Sequence, residues 1–140
     1  MQELTTFISN HPILSVSALC VFALVVIVEL IRAKQSSARI TPLQTTRMMN
    51  HDNAIVIDIR PSDLYRKGHI IDAVSLVLKD NKEIPKKLEK YKIKPIIIVC
   101  QNGVESQKLA SMLLKHGYNA YSLTGGIRAW DQADMPLVKE

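Results

Sequence analysis

The sequence predicts a three-layer α/β domain, with a central parallel sheet between two layers of helices, preceded by one N-terminal transmembrane helix. From Ile40 onward, short apolar runs alternate with stretches of helical periodicity, a pattern typical of α/β folds with a parallel sheet. The run at 96–99 is apolar throughout, as expected of a strand buried on both faces. Residues 13–31 come close to the roughly 20 apolar residues that a bilayer-spanning helix needs.

Composition limits the classes of function. A chain of 140 residues with 47% hydrophobic residues is long enough for one globular domain. The part from Arg32 onward holds all 18 basic residues and 11 of the 13 acidic ones, a net charge of +7. Aromatic residues are scarce and no nucleic-acid-binding motif is present, so no nucleic-acid partner is expected. We also expect neither a metal nor a cofactor.

Much of the positive charge lies in one lysine cluster. A cluster of this kind is most often a solvated surface, and beside a membrane it can also rest on anionic lipid headgroups. Its members are Lys82, Lys86, Lys87, Lys90, Lys92 and Lys94.

The apolar stretch 13–31 is interpreted as a membrane anchor. A cleavable signal peptide is disfavoured, because the first ten residues carry Glu3 but no Lys or Arg, and no clear Ala-x-Ala site follows. A lipoprotein site at Cys20 is disfavoured, because Leu19 precedes it where a small residue is required. A buried core helix is the alternative, although the stretch is apolar on every face.

Basic residues give the orientation of this anchor. None precedes it, whereas Arg32, Lys34 and Arg39 follow it closely, and the positive-inside rule places such a flank in the cytoplasm. We therefore predict a single-pass protein of the bacterial inner membrane. Its segments are a short extracytoplasmic N-terminus at 1–12, a transmembrane helix at 13–31, a linker at 32–39 and a cytoplasmic domain at 40–140.

Local signals predict the elements of the domain in order. Ile40 ends a short extended segment, Thr41 is placed to cap a helix and Pro42 suits its first position, so a helix runs to about residue 50. Gly117 ends the helix that starts near 106. The other predicted elements are strands at 54–59, 73–78, 96–99 and 121–123 and helices at 64–67, 84–90 and 127–131.

Asp58 interrupts an apolar strand pattern. A carboxylate at such a position is costly unless it is paired or hydrogen-bonded, and Arg60 lies on the same face if the strand continues. We therefore expect Asp58 and Arg60 to form a structural network that anchors a neighbouring loop, in preference to a direct catalytic role. His69 is likewise expected to tie loops together, with a general-base role as the minor alternative.

Cys100 lies where the strand at 96–99 meets the next helix. Loop N–H groups and the positive end of the helix converge on that position and favour an anion there, and the thiolate is the nucleophilic form of cysteine. The alternative is an inert cysteine at the end of a core strand. Because Cys20 lies in the apolar stretch, no disulfide is expected, and a reduced Cys100 suits the cytoplasm.

Taken together, these residues resemble the rhodanese-like family of sulfurtransferases. The similarity extends from Ile40 to Pro136, with the motifs in family order. They are Ile40-Thr41-Pro42, Val56-Ile57-Asp58-Ile59-Arg60, Tyr65 with Gly68-His69-Ile70 and Ala73, the Cys100 loop, and Leu123-Thr124-Gly125-Gly126-Ile127-Arg128-Ala129-Trp130.

The resemblance implies that Cys100 accepts a sulfane sulfur as a persulfide and passes it to a thiol or another nucleophile. Asp58 and Arg60 would then support the active-site loop from outside, and Trp130 would pack the closing helix. The implied partners are a sulfur donor and a small-molecule or protein acceptor. The implied loop residues are Gln101, Asn102, Gly103, Val104, Glu105 and Ser106. Gly103 permits a tight curve of the backbone, and Ser106 is expected as N-cap or hydrogen-bond donor.

Two loop positions depart from the family pattern. Many members carry Arg directly after the cysteine and Arg, Lys or Thr at the fifth loop position, where this chain has Gln101 and Glu105. A carboxylate there repels an anionic donor, and the missing Arg removes a bidentate partner, so weak thiosulfate activity is expected. Ser106 stands where related phosphatases need Arg, which disfavours phosphatase activity.

Two functions remain in competition. The first is a membrane-tethered sulfurtransferase, which the intact Cys100 favours. The second is a non-catalytic rhodanese-like module that docks a membrane protein partner, which Gln101 and Glu105 favour.

Overall fold

The computed structural model describes residues 2–36, 39–79 and 83–140. The chain forms two compact units, Met1–Ser36 and Ser37–Glu140. The first contains helices α1 (Gln2–Asn10) and α2 (Pro12–Ser36). Within α2, Pro12–Ile31 is long and apolar enough to cross a membrane, and none of its residues is buried. A signal sequence has the same length and composition, so this helix fits either role.

The linker boundary differs from the prediction. Within the segment predicted as a short N-terminus, residues 2–10 are helical. Most of the predicted linker at 32–39 belongs to regular elements. Helix α2 continues to Ser36, because Arg, Ala, Lys and Gln at 32–35 are good helix formers. Arg39 belongs to the first strand. The remaining linker positions, 37 and 38, lie outside the described residues, as does Lys82 of the lysine cluster.

The second unit is built on a five-stranded sheet in the order β1-β5-β4-β2-β3. Each neighbouring pair of strands is parallel. The strands are β1 (Arg39–Ile40), β2 (Ile55–Asp58), β3 (Val74–Ser75), β4 (Ile96–Val99) and β5 (Ala120–Leu123). The helices are α3 (Pro42–His51), α4 (Ser62–Lys67), a 3₁₀ helix (Lys86–Tyr91), α5 (Val104–Lys115) and α6 (Gly126–Gln132).

Alternating side chains of the central strand β4 enter two separate cores. Ile98 packs with Leu109 and Leu113 of α5 on one face, whereas Ile97 packs with Trp130 of α6 on the other. The two-residue period of a strand produces this division. The predicted three-layer α/β fold with a central parallel sheet is therefore confirmed.

Most predicted elements are present, with shorter bounds in places. Thr41 caps α3 with a reciprocal capping box: its side chain accepts from the N–H of Gln44, whose side chain accepts from the N–H of Thr41. The predicted strand 73–78 is reduced to β3, an edge strand that pairs only with β2 within the described sheet. The predicted helix 84–90 is a 3₁₀ helix that starts after Pro85.

Candidate active site

Cys100 follows directly on β4, at the carboxyl end of the central strand. Parallel sheets place their ligands at this edge, where the strands give way to loops and helix N-termini. The side chain belongs to the core on the α5 face, and the residue is 3% exposed. The thiol is thus held rigidly, at the base of the loop that leads into α5.

Backbone donors converge on the sulfur of Cys100. The N–H of Gly103 donates to Sγ at 3.1 Å, and the N–H of Ser106, in the first turn of α5, donates at 3.4 Å. Gly103 makes this possible with a left-handed φ of 89°, a conformation that glycine adopts without strain. N–H groups directed at one atom from a loop and a helix start stabilise an anion there.

Ser106 was predicted as N-cap or hydrogen-bond donor; it is not the N-cap, but its N–H donates to Cys100 Sγ and its hydroxyl also contacts the sulfur. The helix begins at Val104 with Gly103 as N-cap, because the left-handed turn at Gly103 brings the chain into helical conformation earlier. The Ser106 hydroxyl lies 3.3 Å from Cys100 Sγ and 2.9 Å from the Ser122 hydroxyl. As a thiol, Cys100 donates to the Ser106 hydroxyl. When the sulfur is a thiolate and Ser122 donates to Ser106, the Ser106 hydroxyl donates to the sulfur instead.

The other loop side chains shape the turn or face solvent. Asn102 Oδ1 accepts from the N–H of Val104 at 3.2 Å and shapes the turn. Gln101, Val104 and Glu105 are exposed. No loop side chain from 101 to 106 carries a positive charge, so the local field on the sulfur comes mainly from backbone dipoles.

The start of α6 holds the loop from the other side. The N–H of Ile127 donates to the carbonyl of Cys100 at 3.0 Å, and that of Arg128 donates to the carbonyl of Gln101 at 3.3 Å. A Cβ at Gly126 would lie 2.3 Å from the Cys100 carbonyl oxygen. From the sequence, Gly126 was noted only as part of the motif at 123–130, and its contact with the loop was missed.

Asp58 and Arg60 form the buried network that the sequence predicted. Both carboxylate oxygens of Asp58 accept from the Arg60 guanidinium, at 2.7 to 3.1 Å, and Arg60 also donates to the carbonyl of Gly68 at 2.7 Å. The two residues are 1% and 5% exposed. These bonds anchor the Gly68 turn, whereas support of the Cys100 loop by this pair stays a prediction.

Residues 41–133 match the family model of the rhodanese-like domain. The chain belongs to the rhodanese-like family. The Escherichia coli K12 protein YibN is 33% identical over 141 residues, covering 99% of each chain. The thiosulfate sulfurtransferase GlpE of Pseudoalteromonas translucida is 37% identical over 92 residues, 64% of this chain and 85% of its own. A rhodanese-related protein structure from Thermoplasma volcanium has a TM-score of 0.63 and 21% identity, covering 73% of this chain and 98% of that one.

His69 of the rhodanese-like domain ties the chain together, as its sequence context predicted. Its ring stacks on Tyr65 at 3.8 Å and its Nδ1 lies 2.9 Å from the Tyr65 carbonyl, while its backbone pairs with Val138. Burial raises the pKa of Tyr65, and the carboxylates of Glu140 and Asp58 raise it further. The phenol therefore stays protonated at neutral pH and donates to the Ala73 carbonyl at 2.6 Å.

A cleft of about 240 Å³ adjoins the Cys100 loop at Gln101. Lys67 from α4 and Arg128 from α6 line it, together with Asp131. These cations were not predicted as site residues, because they lie 61 positions apart and share no spacing pattern. They place positive charge in the cleft beside the Cys100 loop of the rhodanese-like domain, whose side chains from 101 to 106 carry none.

Proposed function

We propose that the protein is a membrane-tethered sulfurtransferase that carries sulfane sulfur as a persulfide on Cys100 and passes it to a thiol or protein acceptor. The convergence of the Gly103 and Ser106 N–H groups and the Ser106 hydroxyl on Cys100 Sγ supports this most directly. The similarity to relatives named thiosulfate sulfurtransferase supports the reaction class.

The proposed reaction consists of two displacements at sulfur. The Cys100 thiolate attacks the sulfane sulfur of the donor, the S–S bond of the donor breaks, and the remainder leaves with the electron pair, as sulfite when the donor is thiosulfate. An acceptor thiolate then attacks the terminal sulfur of the Cys100 persulfide, and the Cys100 thiolate leaves. Electrons balance without an external oxidant. The same N–H donors face an anion before and after each step.

The charges around the site favour a sulfur donor that carries less negative charge than thiosulfate, such as a persulfide. Glu105 is exposed on the loop, where its carboxylate disfavours a dianion. Lys67 and Arg128 oppose this effect from the adjoining cleft, but Asp131 lines the same cleft. We propose that a singly charged alkyl persulfide loads Cys100 faster than dianionic thiosulfate does.

The test is intact mass of the full chain in detergent after incubation with thiosulfate or with an alkyl persulfide. Wild type should gain one sulfur atom, more rapidly from the persulfide, and Cys100→Ser should gain none. Cys20→Ser is the matched control for the second cysteine and should load like wild type. Sulfur gain that survives in Cys100→Ser, or no gain from either donor, contradicts the proposal.

Ser106→Ala should slow persulfide loading by about tenfold or more, because a hydrogen bond to a charged sulfur is lost. Ser122→Ala removes the group that orients the Ser106 hydroxyl but leaves that hydroxyl beside Sγ, so it should slow loading less. Loading rates from time-resolved intact mass measure both effects. Loading of Ser106→Ala at the wild-type rate would show that the contact to sulfur contributes nothing.

We also propose that α2 spans the inner membrane with the rhodanese-like domain in the cytoplasm. The apolar Pro12–Ile31 segment and the basic residues that follow it support this arrangement. A green fluorescent protein fused after Glu140 should fluoresce in cells and fractionate with membranes, whereas alkaline phosphatase fused there should be inactive. Active phosphatase would show that the domain lies outside the cytoplasm, and a soluble fusion would show that α2 does not anchor the protein in the membrane.

A non-catalytic docking module is the second candidate. The exposed Gln101 and Glu105, in place of the cations common in the family, favour it, and so does the near-complete burial of Cys100. If deletion of the protein gives a cellular phenotype and the Cys100→Ser variant fully rescues it, the result would support docking. Failure of that variant to rescue, at normal protein levels, would support the sulfurtransferase.

A further inference from the structure

A strongly basic segment lies at the edge of the sheet opposite Cys100. We call residues 86–94 the basic turn; they comprise the 3₁₀ helix and the residues that lead into β4. Five exposed lysines fall in it, against one acid, Glu89, with Glu83 just before it. The lysines are Lys86, Lys87, Lys90, Lys92 and Lys94.

Ile93 is the apolar tip of the basic turn. It is 91% exposed, the highest value among the exposed large apolar residues described. The N–H of Lys94 donates to the Tyr91 carbonyl at 2.9 Å, which closes a turn with Lys92 and Ile93 at its centre. The apolar side chain of Ile93 is thus presented to solvent between the flanking residues Lys92 and Lys94.

The basic turn is held in a defined shape. Leu88 is buried in the core on the α5 face and fixes the 3₁₀ helix to the domain. The Lys90 ammonium lies 4.7 Å from the centre of the Tyr91 ring and that of Lys92 lies 5.2 Å from the centre of the Tyr118 ring. These cation–π contacts orient the charges at the surface without neutralising them.

The position of the basic turn relative to Cys100 follows from strand β4. The basic turn precedes β4 and Cys100 follows it, so four strand residues, roughly 13 Å, separate the two edges. Exposed Lys115 at the end of α5 adds a positive charge to this edge, and Asp52 at the end of α3 adds a negative one. A flat partner that covers the basic turn therefore leaves the Cys100 loop uncovered.

We propose that the basic turn rests on anionic phospholipid headgroups, with Ile93 inserted at the boundary between headgroups and acyl chains. Lysines supply the attraction to the negatively charged surface, and the apolar tip distinguishes a lipid interface from a purely polar polyanion. The inference rests on the proposed tether. Seven residues lie between Ile31 and Arg39, and five of them continue α2, so this short connection keeps the domain near the bilayer at high effective concentration.

The test uses the full chain in nanodiscs of phosphatidylcholine, with or without phosphatidylglycerol. Hydrogen–deuterium exchange of the backbone amides at 86–94 should be slower in the anionic discs, and 0.5 M salt should remove the difference. Near an anionic surface, each lysine changes the equilibrium constant between the domain with its basic turn on the bilayer and the domain away from it by about fivefold. The triple variant Lys86→Gln, Lys92→Gln, Lys94→Gln should therefore lose the protection, through a shift of roughly a hundredfold.

The control removes the same charge elsewhere, with Arg66→Gln, Lys108→Gln and Lys139→Gln, and should keep the protection. Ile93→Ser should weaken it at unchanged charge. Equal exchange in neutral and anionic discs, or protection that survives in the lysine variant, overturns the inference. Failure of the chain to enter either kind of disc is a separate result, which overturns the proposed tether.

Discussion

Gly126→Ala is expected to destabilise the domain by about 3–5 kcal/mol. The new Cβ would lie 2.3 Å from the Cys100 carbonyl oxygen and 2.8 Å from the backbone nitrogen of Asn102. These are backbone atoms, so relief requires displacement of the active-site loop and loss of the bond from the Ile127 N–H to Cys100. The φ of +61° adds backbone strain for alanine.

Urea unfolding of the full chain in detergent measures this effect through the fluorescence of Trp130, the single tryptophan of the chain, which is buried in the domain core. Gly117→Ala is the matched control. It also has a positive φ, +82°, but its nearest neighbour is the flexible end of Lys92 at 3.9 Å, so only about 1 kcal/mol should be lost. Equal losses in the two variants would mean that the contact with the Cys100 loop contributes nothing.

The sequence predicted the fold because its signals are local. Strand β4 is visible as an unbroken apolar run, and α5 as the spacing of Leu109 and Leu113. Cys100 lies at their junction, so its position was predicted from the order of elements alone. Asp58 was identified because a carboxylate in an apolar strand demands a partner, and Arg60 provides it two residues later.

The parts that were missed depend on contacts between distant segments. Gly126 touches the Cys100 loop across 26 positions. Lys67, at the end of α4, and Arg128, in α6, line one cleft with Gln101 although they are far apart in sequence. Ser122 looks like an ordinary strand residue until its hydroxyl is found beside Ser106. No periodicity encodes such neighbours. A polar residue within an apolar strand, as at Ser122, was the one available signal.

Arg60→Leu is expected to destabilise the domain by about 3–5 kcal/mol, because Asp58 would remain buried without its ion-pair partner. The Gly68 carbonyl would also lose its donor. The double variant Asp58→Leu, Arg60→Leu should lose clearly less than the sum of the two single variants, since no unpaired charge remains. Arg66→Leu, at an exposed position, is the control and should change stability little.

Urea unfolding followed by Trp130 fluorescence gives the coupling energy of the pair, and additive losses would contradict the assigned ion pair. The same variants also decide whether Asp58 and Arg60 support the Cys100 loop. Their hydrogen bonds reach the Gly68 turn, so a purely structural role predicts that the folded fraction of the double variant loads sulfur at the rate of wild type. A lower rate per folded molecule would mean that the pair also positions the loop, because a loss of fold alone cannot change chemistry in the molecules that remain folded.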